Sequence, residues 1–124
     1  MNKLILMGRL VETPELKTTQ SGVSVTAFTL AVDRSYTGKG QEKKTDFVKC
    51  VAWRNTAEFI TRYFTKGKLM AVESELQSRT YENSEGHKVT VWEAIVSQVY
   101  FCGDKKDTSQ DNVSVAFEDD ELPF

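Results

Sequence analysis

Only one stretch of this 124-residue chain carries the spacing of a helix. It opens at Asn55, a good cap, with Glu58 three residues on as in a capping box. Phe59, Ile60, Tyr63 and Phe64 then repeat at i, i+4 intervals, and Gly67 stands where a terminator is expected. Every other apolar run is β-prone or alternates with period two. The helix must therefore serve a sheet rather than a helical bundle.

Five such runs surround it. Residues 3–11 are apolar and β-prone until Thr13-Pro14-Glu15 interrupts them. After the Ser21-Gly22 turn, residues 23–32 alternate, with Phe28, Leu30 and Val32 on one face and Ala27, Thr29 and Ala31 on the other. Residues 35–45 are polar around Gly38-Lys39-Gly40 and read as a mobile hairpin loop. The third run, 46–54, has two unlike rows: Val48, Cys50 and Ala52 suit a core, while Phe47, Lys49, Val51 and Trp53 form an aromatic and basic surface. Residues 68–81 and 87–101, joined by Glu82-Asn83-Ser84-Glu85-Gly86, predict a long hairpin. Three strands, one short helix and two strands is the element order of an OB-fold, an all-β, five-stranded Greek-key barrel with the helix between its third and fourth strands.

Charge divides the chain further. Residues 1–103 hold fourteen Lys and Arg against eleven Asp and Glu, a net of +3, whereas residues 104–124 hold two Lys against seven acids, a net of −5. This division predicts a barrel domain over 1–103, a flexible linker over 104–117 and an acidic tip over 118–124. It suits a polyanion-binding body with an appendage that competes with or replaces the polyanion, and equally a plain domain with a solubilising tail. The apolar run Leu4–Met7 is far shorter than the ~20 residues of a membrane span and too short for a signal-peptide core, so an intracellular protein is expected. Cys50 and Cys102 make no disulfide framework and read as reduced packing residues.

Specific motifs then join these elements. Asn2 through Leu10, Pro14-Glu15, Gly22 through Val25, Leu30-Ala31, Thr45-Asp46-Phe47, Tyr63-Phe64-Thr65-Lys66-Gly67 and Leu76 through Tyr81 occur in one order. The chain closes on Asp120-Glu121-Leu122-Pro123-Phe124. Together they resemble the bacterial-type single-stranded DNA-binding protein family over about residues 2–103 and the final six or seven. Thr13, Val48 and Ser74 depart from the family's usual Asp, His and Gly, and the linker is short for it, which also fits a phage- or plasmid-encoded version. The resemblance implies sequence-independent coating of single-stranded DNA by a homotetramer. It implies a cytoplasmic, nucleoid-associated location, no cofactor, and recruitment of replication, recombination and repair proteins.

Binding single strands without sequence preference requires flat rings for unstacked bases and cations along the backbone path. The positions matching the family's stacking aromatics are Tyr36, Phe47, Trp53 and Tyr81. Trp92 fits either a base or a subunit contact. Candidate phosphate contacts are Lys3, Arg9, Arg34, Lys39, Lys43, Lys44, Lys49, Arg54, Arg79 and Lys88, and a charge run of this kind is also what a solvated face looks like. Lys49, between Phe47 and Trp53, and Arg79, in parity with Tyr81, are the preferred pair. The tip Asp119, Asp120, Glu121, Leu122, Pro123 and Phe124 suits an apolar pocket with a basic rim on a partner, and is expected to fold back on the basic face without DNA. An enzyme is the competing class, but the single histidine, His87, sits in a turn sequence. No Cys/His spacing suggests zinc, and Glu12, Asp33, Asp46, Glu73, Glu75 and Glu93 are scattered. An adaptor that only presents the tail is the third.

Overall fold

The computed structural model describes residues 1–35, 38–40 and 42–103. Tyr36, the linker and the acidic tip lie outside the described residues. Among the described residues, six strands and one helix follow in order: β1 (Leu4–Leu10), β2 (Lys17–Thr18), β3 (Ser24–Asp33), β4 (Thr45–Trp53), α1 (Arg54–Tyr63), β5 (Leu69–Glu82) and β6 (Lys88–Phe101). The five long strands are those the alternation predicts. β2 adds a two-residue rung, because the turn at Thr19–Val23 folds Lys17 and Thr18 back against Val25 and Ser24.

The strands run β1-β5-β6-β4-β3-β2, and β1 meets β3 again at Arg9–Ala31 and Leu10–Leu30, closing the sheet into a barrel. All pairings are antiparallel except β4 with β6, joined at Cys50–Ala94 and Val51–Ile95. This closed barrel with its single helix is an OB-fold. Alternation decides what enters it: Leu10, Phe28, Leu30, Cys50, Ala52, Met70, Val72, Ala94, Val96 and Val99 are buried in one cluster. Burial pushes the Cys50 thiol up to about 12, so it packs as a small apolar group. The Cys102 thiol lies 3.7 Å from the Met7 sulfur.

Residue Ser97 is the one-residue bulge of β6. Val96 pairs with Ser74 and Gln98 with Glu73, so the parity of β6 reverses there and Val99 and Phe101 return to the inside. Ser74 is buried opposite the bulge, and its hydroxyl donates to the Leu4 carbonyl at 2.8 Å. Ser74→Ala should cost about 1 kcal/mol, read as a melting temperature lower by roughly 4–8 °C. An unchanged melt would show that bond to be worth nothing.

The helix closes one end of the barrel with Ala57, Ile60 and Phe64 buried. Phe64 stacks on Phe101 with ring centroids 5.1 Å apart, and Phe59 meets Phe101 edge-on at 5.6 Å. Its start departs from expectation. Trp53, with no side-chain cap, precedes Arg54 at φ 54°, and Asn55 already lies within the helix. Glu58 does not reach back to close a capping box; it accepts the Ser24 hydroxyl of β3 at 3.0 Å. A tertiary contact has replaced the local one. Gly67 is likewise not the helix cap. Phe64 ends the helix in extended geometry, while Gly67, at φ 86°, donates to the Leu10 carbonyl at 2.8 Å in the following turn.

Candidate nucleic-acid interface

The row that the sequence singled out on β4 stands on the outside of the barrel. Phe47 is 66% exposed and Trp53 42%, with Lys49 exposed between them, while Val48, Cys50 and Ala52 face inward. For large aromatic side chains on a β-strand this exposure departs from the hydrophobic economy of a fold, since burying them would stabilise it. On β3, Ala31 pairs with Phe47, Thr29 with Lys49, Ala27 with Val51 and Val25 with Trp53. The low side chain of Ala31 leaves the Phe47 ring uncovered on that flank.

The same face continues across β6 onto β5. Val51 pairs with Ile95, and Ile95 with Glu75, so Glu93, Gln77, Arg79 and Tyr81 share the side of Phe47, Lys49 and Trp53. Tyr81 is exposed, and the Arg79 guanidinium lies over its ring, 5.6 Å from the centroid. Arg79 also forks onto Glu93, with Nη2 to Oε2 at 3.1 Å and Nε to Oε1 at 3.2 Å, which raises its pKa. The preferred pair, Lys49 and Arg79, thus lies on one surface with Phe47, Trp53 and Tyr81.

Other candidates fall elsewhere. Trp92 is 60% exposed and takes the parity of buried Ala94, hence the opposite side of the hairpin from Tyr81. The ribbon outruns the barrel at this point, so an inward-facing position finds no core. Arg34 and Lys43 flank the β3–β4 loop and are held by acids. Arg34 forks onto Asp46 at 3.0 and 3.1 Å, and Lys43 lies 3.4 Å from Asp33. These bonds, with the Thr45 hydroxyl donating to Asp33, hold both carboxylates below the usual range. Arg9 donates to the Gly67 carbonyl at 3.0 Å. Lys39 and Lys44 are exposed in the loop, and Lys3, Arg54 and Lys88 are exposed at the starts of β1, α1 and β6.

The pairing acids Asp33, Asp46 and Glu93 are what sequence reasoning missed. The diagonal Arg79–Glu93 contact follows from the hairpin register, which a count of charges does not contain. Among the described residues no group of three His, Cys, Asp or Glu could hold a metal ion, and no helix is long and apolar enough to cross a membrane. His87 sits in the hairpin turn with Nδ1 3.6 Å from Glu85 Oε1.

A closed OB barrel with aromatic rings and cations on an open face defines a class of binding module. Residues 1–102 match the single-strand binding protein family, and the chain belongs to it. It is 45% identical over 113 residues to single-stranded DNA-binding protein 1 of Staphylococcus aureus strain Mu50, covering 90% of this chain and 72% of that protein. Over 115 residues it is 40% identical to the single-stranded DNA-binding protein of Halalkalibacterium halodurans, covering 93% of this chain and 68% of the relative.

Proposed function

We propose that this protein binds single-stranded DNA without sequence preference, stacking bases on Phe47, Trp53 and Tyr81 and meeting phosphates with Lys49 and Arg79. One observation carries the reading: three aromatic side chains stand exposed on a single sheet face with two cations among them. Every base has a π-face, so such a platform is indifferent to sequence, and a paired duplex keeps its bases from it. Tyr36, Lys39, Lys43 and Lys44, in the polar loop that follows β3, extend the path of the strand in this reading.

The protein works as a homotetramer in the same reading. Ile5 and Met7 are exposed on the outer face of β1, and Tyr100 of β6 is exposed on the same side, across Ala71 of β5. Gln98 Oε1 on that face is buried and has no hydrogen-bond partner among the described residues. A second copy would cover the apolar side chains and supply the missing donor. The tip Asp119–Phe124 recruits replication, recombination and repair proteins. Its support is sequence alone: an apolar Leu-Pro-Phe ending behind acids that steer it to a basic rim.

The test is intrinsic tryptophan fluorescence titrated with oligo-dT and with duplex DNA at low and high salt. Strong quenching by oligo-dT and none by duplex is expected. Unchanged emission, with no binding by an independent assay, would leave the tail-presenting adaptor as the better account.

A further inference from the structure

Arg79 differs from Lys49 in one respect. Glu93, the only acid of β6, meets it with both carboxylate oxygens on the candidate face. The side chain of Glu93 is 12% exposed and that of Arg79 is 60% exposed, so the guanidinium lies over the carboxylate and itself faces solvent. The fork fixes the guanidinium on one side and the Tyr81 ring, 5.6 Å away, fixes it on the other. Of the five N–H donors of an arginine, Nε–H and one on Nη2 are spent on Glu93. The two on Nη1 and the second on Nη2 are not used by this fork.

We propose that Glu93 is a positioning residue for the nucleic acid. It clamps Arg79 beside Tyr81 and cancels its charge, so Arg79 meets a phosphate as an oriented hydrogen-bond donor and not as a free cation. This rests on the single-stranded DNA reading above. Its consequence is physical: counterion release follows the charge that neutralises phosphates, and a clamped pair contributes little to it. Lys49, for which no acid partner is found among the described residues, contributes in full.

Four full-length proteins test this: wild type, Glu93→Gln, Arg79→Ala and the double variant, each checked for native circular dichroism and titrated with oligo-dT across a salt series. Glu93→Gln keeps the shape of the side chain and frees the Arg79 charge. It should steepen the log–log salt slope by about 0.7 and tighten binding several-fold at low salt. In the Arg79→Ala background the same substitution should leave the slope unchanged, which a general effect of removing one negative charge would not do. Equal steepening in both backgrounds overturns the proposal, as does a Glu93→Gln protein with wild-type slope and affinity. A lower melting temperature alone would mark a merely structural ion pair and overturns it too. Absence of oligo-dT binding by the folded wild type would instead overturn the single-stranded DNA reading, and the clamp with it.

Discussion

Gly8→Ala should lower the melting temperature by roughly 12–24 °C, corresponding to about 3 kcal/mol for a domain of this size. Gly8 lies on β1 and faces inward, where β1 crosses β3 to close the barrel. A Cβ there would run into the Ala31 carbonyl oxygen and lie 3.0 Å from both the Ala31 carbonyl carbon and Val32 Cγ2. Two of those atoms are backbone, so the strands must part, and the two rungs that close the barrel, at Arg9–Ala31 and Leu10–Leu30, are the first to feel it. Circular dichroism melting measures the effect. A melting temperature within a few degrees of wild type would mean that β1 and β3 separate at little cost, and that closure stabilises the barrel less than its geometry implies.

Replacing Phe47 and Trp53 together by Ala should weaken oligo-dT binding by roughly 30-fold to 10⁴-fold, at ~1–3 kcal/mol for each base stack lost. Both rings are largely outside the core, so the folded barrel should persist and the melt should change little. The variant removes no charge, so the slope of log affinity against log salt should keep its wild-type value. Lys49→Ala is the complement: a smaller loss of affinity with a slope shallower by about 0.7. Equilibrium titration by anisotropy, independent of tryptophan emission, measures both. A double variant that binds as wild type would remove β4 from the interface.

Much of this was legible because the information is local. Two unlike rows on residues 46–54 announce an inner and an outer face, and the structure places Cys50 and Ala52 in the core and Phe47 and Trp53 outside it. The single helix and five long strands among the described residues follow from periodicity and β-propensity. The failures have a common cause in contacts between one element and another, near or far along the chain. Asn55 and Glu58 have the right letters for a capping box, but Ser24 reaches Glu58 from β3. A two-residue strand such as β2 has no periodicity to read; its pairing comes from the turn that follows it. The bulge at Ser97 reverses the parity of β6, and only the opposing strand records it. At the candidate face, exposure of aromatics could be anticipated from basic neighbours, whereas the pairing of Arg79 with Glu93 could not. That contact joins two strands whose register the sequence does not state.

The β5–β6 hairpin runs on past its last rungs with β4, at Cys50–Ala94 and Val51–Ile95, to a turn at Asn83–His87. Over that distance it is a ribbon of two strands, with water on both sides and only cross-strand ties such as Thr80 with Thr90, 3.0 Å apart, to hold it. Two strands alone are marginal in water, so the ribbon sits on the low rungs of the molecule's ladder of local opening free energies while the barrel sits at the top. Its end can fray and re-form many times for each global unfolding event. The candidate face therefore joins a rigid half to a pliant one: Phe47 and Trp53 are carried by a strand bonded along its length to β3, Tyr81 by a spring. In the single-stranded DNA reading proposed above, the second half follows strands of uneven base size and backbone path without disturbing the first.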